Sequence, residues 1–201
     1  MKRAIDIVIG TVGLVLAAPL VLLGGLAVRR RSPGPILYAH DREGRDGTPF
    51  RLYKVRTMVT DGDALLERRL RDDPAARAEW ERYYRLADDP RIAGRAGRLL
   101  RRFSIDELPQ LYNVVIGDMS LVGPRPLPPF VVAALPPAFA AERRAVRPGL
   151  TGPWQVEGRS DTDLAEMERW DRAYLGERSL RTDLRILAKT PRAVLSGTGA
   201  Y

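Results

Sequence analysis

Apolar residues run without a charge from Ile7 to Val28. At about 1.5 Å per residue, a helix over that stretch is roughly 33 Å long, the thickness of a bilayer's hydrocarbon core. Pro19 sits past its middle and predicts a break, because proline removes a backbone donor and crowds the preceding turn. Lys2 and Arg3 precede the run, and Arg29, Arg30 and Arg31 follow it. A spanning helix carries its basic bias on one side. Basic flanks at both ends predict a helix that enters the membrane, bends at Pro19 and returns to the same face. A straight single span is the competing reading. A signal peptide is a third, with Gly24-Gly25 in a cleavage region. The length of the run and the lack of an A-x-A pattern before a mature start weigh against it.

After the turn-rich exit Ser32-Pro33-Gly34-Pro35, the pattern becomes short and alternating. Ile36 to Tyr38 and Phe50 to Tyr53 flank a Gly44–Gly47 turn and predict a small hairpin. Ala64 to Leu86 reads as a charged helix broken at Asp72-Asp73-Pro74. A further helix is signalled from Ser104, with Ile105, Leu108, Leu111, Tyr112 and Val115 as its buried stripe and Asp106, Gln110 and Asn113 on another face. Gly117, Gly123, Pro124, Pro126, Pro128 and Pro129 mark a constrained loop. Phe130 to Leu135 is apolar but has no readable period, Ala138 to Val146 returns to helix, and a second loop runs from Arg147 through Arg159. Asp163 to Tyr174 and Leu180 to Leu195 predict two closing amphipathic helices, the second interrupted at Pro191. Its apolar side suits either the core or a membrane surface, and it permits a homodimer without requiring one. These elements describe a membrane segment over residues 1–31 and an α/β, helix-rich small domain over 32–201.

Composition narrows the chemistry. The chain has no cysteine, and His40 is its one histidine. Disulfide scaffolds, thiolate chemistry and multi-histidine zinc sites are excluded, and a Ser-His-Asp triad would hang on one residue. Acids, bases, nucleophiles and metal ligands are therefore sought among carboxylates. The net charge of +8 and a pI near 10.3 imply an anionic partner: nucleic acid, anionic lipid or a phosphorylated substrate. Between Glu67 and Arg102 arginines and acids are mixed, and no RNP motif or zinc knuckle is present, so no nucleic-acid partner is expected.

Ser104-Ile105-Asp106-Glu107 has the S-x-x-E form. It reads equally as a capping box, with Ser104 capping and Glu107 reaching back, and as a carboxylate pair at a helix start, where the backbone could help hold a phosphate. Pro109 predicts a distortion beside the pair. Arg125 lies in the proline-clamped loop and suits a phosphate clamp; a structural arginine bonding loop carbonyls would look the same.

The ordered series Tyr53-Lys54-Val55-Arg56-Thr57-Met58, Asp89-Pro90-Arg91-Ile92, Gly97 to Arg102, Ser104 to Leu111, Gly117-Asp118-Met119-Ser120, Val122 to Pro126, Val146 to Gly152 and Trp154-Gln155-Val156 resembles the bacterial sugar transferase family. These are the monotopic phosphoglycosyl transferases that start exopolysaccharide, O-antigen and glycoprotein glycan assembly. The resemblance covers nearly the whole chain. It implies an N-terminal re-entrant helix-break-helix, a catalytic domain with interfacial helices on the cytoplasmic face of the bacterial inner membrane, and the minimal catalytic form.

It also implies a reaction. Asp106 matches the family nucleophile, attacking the sugar-bearing phosphorus of a UDP-sugar donor, releasing UMP and passing the sugar phosphate to a polyprenol phosphate acceptor. Glu107 matches the carboxylate expected to bind Mg²⁺. Lys54, Arg56 and Arg147 are further candidates for donor phosphate contacts, Arg101 for the lipid phosphate or headgroup, and Asp118 for a structural role. Three departures stand out. Ala18 precedes Pro19 where the family carries serine, His40 replaces a frequent Gln and is expected in a loop role, and Glu157 replaces a common Asn. The competing function is a non-catalytic basic scaffold at the membrane, which needs neither Asp106 nor Glu107.

Overall fold

The structure is a computed structural model that describes residues 1–84, 86–158 and 163–197. It begins with α1, Lys2–Arg31, one unbroken helix with Pro19 inside it. The expected division into two helices is absent: the segment is helical throughout and packs on the body on either side of Pro19. Gly10 lies against Val114 and Val115 of the later helix α5 (Gln110–Ile116), and Gly24 against Leu100 of α4 (Gly94–Arg102). At Gly25 a Cβ would stand 2.1 Å from Ile36 Cγ2, so only glycine permits this approach. The opposite side of α1 leaves Val8, Val15, Leu16, Leu22 and Leu23 exposed. Among the described residues, α1 alone is long and apolar enough to cross a membrane.

The predicted hairpin is present as β1 (Leu37–Glu43) and β2 (Pro49–Val55), antiparallel with His40 opposite Leu52 and Tyr38 opposite Lys54. The charged helix is broken where Asp73-Pro74 requires, into α2 (Gly62–Asp72) and α3 (Pro74–Tyr83). Asp73 caps α3 by accepting from Ala75 N at 2.9 Å and Ala76 N at 3.2 Å.

The helix expected from Ser104 is different. A 3₁₀ turn covers Ile105–Glu107, and α5 begins only at Gln110, with Pro109 as its N-cap. A continuous α-helix would drive the Pro109 ring into the Ile105 carbonyl, four residues back. The stripe is also phased differently. Tyr112 is exposed and Val114 is fully buried, while the polar residues Asp106, Gln110 and Asn113 all face inward.

A second sheet pairs β3 (Ser120–Val122) in parallel with β4 (Gly149–Thr151). The apolar run without a period forms α6 (Pro129–Ala133), followed by α7 (Pro137–Arg144). The loop expected from Arg147 contains β4 and α8 (Pro153–Glu157); its end, Arg159, lies outside the described residues. Then come α9 (Leu164–Gly176) and α10 (Leu180–Ser196), and α10 passes through Pro191 without interruption. On α10 the buried face is Asp183 and Ile186, and Leu184 is exposed.

The main core joins Phe50 and Leu52 of β2, Leu111 and Val114 of α5, Met119, Leu121 and Val122 around β3, Tyr174 of α9 and Ile186 of α10. A second cluster lies under α6, α7 and α9 around Phe139 and Met167. A third, of Val28, Val55, Ala93 and Leu100, fastens the end of α1 to β2 and α4.

Candidate active site

Four pieces of chain converge on Asp106 and Glu107. β2 supplies Lys54, the last turn of α4 supplies Arg101, the 3₁₀ turn supplies the two carboxylates, and the loop after β3 supplies Arg125. The turn from α4 into the carboxylates runs through Ser104, which adopts φ +54°, uncommon outside glycine. Its side chain makes no cap, so the capping box is not formed. The Glu107 carboxylate points instead at cations. Its Oε1 accepts from Lys54 Nζ at 2.7 Å and from Arg125 Nη2 at 2.7 Å, and Arg125 Nη1 lies 3.4 Å from Oε2.

The two acids are thereby made unequal. Burial alone would raise the Glu107 carboxyl, but Arg125 and Lys54 override it and hold it well below the usual carboxylate range. Among the described residues Asp106 has one long ion pair, 3.9 Å to Lys54 Nζ. Its carboxyl is pushed up, first by burial and also by Glu107, against the opposing charges of Lys54, Arg101 and Arg125. The result is a buried, weakly paired carboxylate beside a strongly paired one.

Asn113 locks this arrangement to the hairpin. Its Nδ2 donates to Arg51 O at 2.7 Å and to Asp118 Oδ2 at 3.1 Å, and its Oδ1 accepts from Tyr53 N at 3.2 Å. Asp118 thus has the structural place expected for it. Two other arginines are engaged with backbone elsewhere. Arg56 is buried and donates to Ser32 Oγ, Ser32 O, Pro35 O and Met58 O, closing the exit from α1. Arg147 Nε donates to Gly117 O at 2.7 Å, at the end of α5. Glu157 pairs with Lys189 of α10.

Some neighbours were not anticipated. His40 lies in strand β1, not a loop. Burial, then Arg42, Lys54, Arg125 and Arg51, lower its pKa to about 3, so its ring stays neutral. Burial and the nearby Arg125 lower Arg42 to about 10, with Tyr38 and Glu107 opposing. Tyr38, His40 and Arg42 alternate along β1, and Tyr38 pairs with Lys54. The period of two therefore places all of them on one face, a signal available in the sequence. Trp154 of α8 lies beneath the Arg125 guanidinium, 5.7 Å from its carbon.

An apolar helix long enough to cross a membrane is laid on a small α/β body, which carries a carboxylate pair among lysine and arginine. The bacterial sugar transferase family matches residues 1–197, and the chain belongs to that family. It is 43% identical over 204 residues to an undecaprenyl-phosphate galactose phosphotransferase of Salmonella typhimurium, covering all of this chain and 42% of that protein. It is 41% identical over 208 residues to a UDP-glucose:undecaprenyl-phosphate glucose-1-phosphate transferase of Caulobacter vibrioides, covering all of this chain and 72% of that one. The exopolysaccharide production protein ExoY of Rhizobium meliloti is 40% identical over 200 residues, which are all of this chain and 88% of ExoY. The chain therefore spans under half of the Salmonella protein and most of ExoY.

Proposed function

We propose that the protein is a phosphoglycosyl transferase that moves a sugar phosphate from a UDP-sugar to a polyprenol phosphate. The observation that carries this reading is the inequality of the two acids: Glu107 is neutralised by Lys54 and Arg125, while Asp106 is buried with a 3.9 Å ion pair. Among the described residues Asp106 accepts no close hydrogen bond, and a poorly solvated carboxylate of this kind suits a nucleophile. An Asp106 oxygen attacks the sugar-bearing phosphorus, the bond to the bridging oxygen breaks, and UMP leaves with that oxygen. An oxygen of the polyprenol phosphate then attacks the same phosphorus and releases the Asp106 carboxylate. The product is a polyprenol-diphosphate sugar. Lys54 and Arg125 supply positive charge where the diphosphate accumulates negative charge, and the charge of Arg101 on α4 also acts on Asp106. Two of the relatives above are named for galactose and glucose transfer, which makes UDP-galactose and UDP-glucose the first donors to test.

The proposed cofactor is Mg²⁺, with Glu107 as its protein ligand. Among the described residues no third His, Asp or Glu joins the pair. That suits an ion which takes one or two carboxylates and completes its shell with water and phosphate oxygens. When bound, it supplies charge neutralisation at the diphosphate.

The proposed location is the cytoplasmic face of the membrane, with α1 entering and leaving from one side. In support, both ends of α1 are tied to the same body. Arg3 donates to Val114 O and Val115 O, and Arg56 holds Ser32.

The test is UMP release from UDP-galactose and UDP-glucose with undecaprenyl phosphate and Mg²⁺, the protein held in nanodiscs. Asp106→Asn is expected to lower turnover by roughly 10³-fold or more. Without acceptor, the wild type should retain radiolabel from the donor's sugar. Turnover that survives in Asp106→Asn would overturn the nucleophile assignment and favour the scaffold reading.

A further inference from the structure

Arg125 reaches Glu107 from the loop after β3, and the chain there is held at two points, at Val122 where β3 ends and at Arg125 itself. At Val122, Lys2 Nζ donates to the carbonyl at 3.1 Å, and Tyr174 Oη, whose one hydrogen goes to Asp183, packs 3.3 Å from the same oxygen. Asp183 fixes both groups, accepting from Tyr174 Oη at 2.9 Å and from Lys2 Nζ at 2.6 Å. Three residues on, Arg143 of α7 donates one arm of its guanidinium to the Arg125 carbonyl and the other to Asp171. Asp171 and Tyr174 stand one turn apart on α9, so one helix face addresses both ends of the segment.

The Asp171–Arg143 pair is an expensive feature if its purpose is stability. Asp171 is fully buried, and the Arg143 side chain is 9% exposed. Removing both charges from water offsets most of their attraction, so buried pairs are weak stabilisers. Among the described residues Asp171 Oδ1 has no hydrogen-bond partner, which leaves Arg143 as the partner of its carboxylate there. What the pair does achieve is geometric. A planar guanidinium held at one end by Asp171 fixes the direction of its other arm, and that arm holds the main chain of Arg125.

We propose that Asp171 and Arg143 are positioning residues, which set the Arg125 backbone so that its guanidinium lands on Glu107. This rests on the reading of Asp106, Glu107 and Arg125 as the active site. Neither residue takes part in the ion pairs of Glu107, which are made with Lys54 and Arg125.

Two measurements on the full chain test it. The first needs no turnover: the Arg125 Nε–H signal in a ¹⁵N spectrum, assigned by its loss in Arg125→Lys. In Asp171→Asn it should shift and exchange faster with solvent; an unchanged signal would overturn the proposal. The second is a double-mutant cycle on UMP release. Asp171→Asn should lower kcat about 10- to 100-fold, as expected for a misplaced group, and add little in the Arg125→Lys background. Additive losses would overturn it. The paired change Asp171→Leu/Arg143→Met separates positioning from stability: Tm should recover while kcat stays low, and recovery of both would overturn it. If Asp171→Asn does not fold, Arg143→Lys asks the same question, since it keeps the charge but loses one arm of the fork. If the wild type releases no UMP from any donor, the proposed function fails, and the Arg125 signal still decides the positioning.

Discussion

The only histidine gives the residue scale a direct readout. His40 is held near pKa 3 by burial and by Arg42, Lys54, Arg125 and Arg51. Its folded pKa lies below the ordinary 6.5, so the unfolded chain binds the extra proton between those values. The contribution of His40 to stability is therefore complete above about pH 6.5 and is lost as pH falls toward 3. One imidazole signal should stay neutral by NMR down to about pH 4; a midpoint near 6.5 would contradict the placement of His40 beside those cations. Arg56 makes a second prediction. Its guanidinium satisfies carbonyls at Ser32, Pro35 and Met58 and the Ser32 hydroxyl. Arg56→Met leaves those acceptors stranded and should cost about 3 kcal/mol, read as a lower Tm. At this scale the acids Asp106 and Glu107 were legible from residue type and order. Their division of labour was not, because it depends on which cation each carboxylate meets.

At the scale of elements, local rules did well where one residue dominates. Asp73-Pro74 ended one helix and started the next, and alternation around Gly44–Gly47 made the hairpin. They failed where packing chooses between faces. Around Asp106 the stripe read from spacing placed Tyr112 inside, yet Asn113 faces inward because it can satisfy the β2 backbone at Arg51 and Tyr53. The strands β3 and β4 are too short for a period to declare them. α1 yields a prediction of its own. Gly25→Ala brings a Cβ against the branched Ile36 side chain and should destabilise the α1 contact by about 1–3 kcal/mol, measurable by unfolding in detergent.

For the whole molecule, α1 is the feature that organises everything else. Asp6 is an acid buried on a helix that is otherwise apolar between its basic ends. It accepts from Ser120 Oγ at 2.9 Å and from Leu121 N at 3.0 Å, so it serves β3 in place of a neighbouring strand. Contacts at Lys2, Arg3 and Asp6 and at Val28 and Ser32 hold both ends of the helix on one body. In a chain without cysteine, single cysteines at positions 2 and 30 should therefore react from the same side of a sealed vesicle. Labelling from opposite sides would refute the one-face topology and restore a simple span.

The sequence by itself determined that a long apolar segment with basic ends precedes a helix-rich domain, that carboxylates carry any chemistry, and, through an ordered series of motifs, which family the chain resembles. These follow from residue type, order and short periods, which survive without knowledge of distant contacts. Only the tertiary structure decided that α1 is one helix pressed along the body, that Arg56 and Arg147 are engaged with backbone, and that Glu107 takes the cations while Asp106 is left nearly alone. Each depends on groups far apart in the chain meeting within a few ångströms in a poorly solvated place, where a single hydrogen bond or charge decides the outcome.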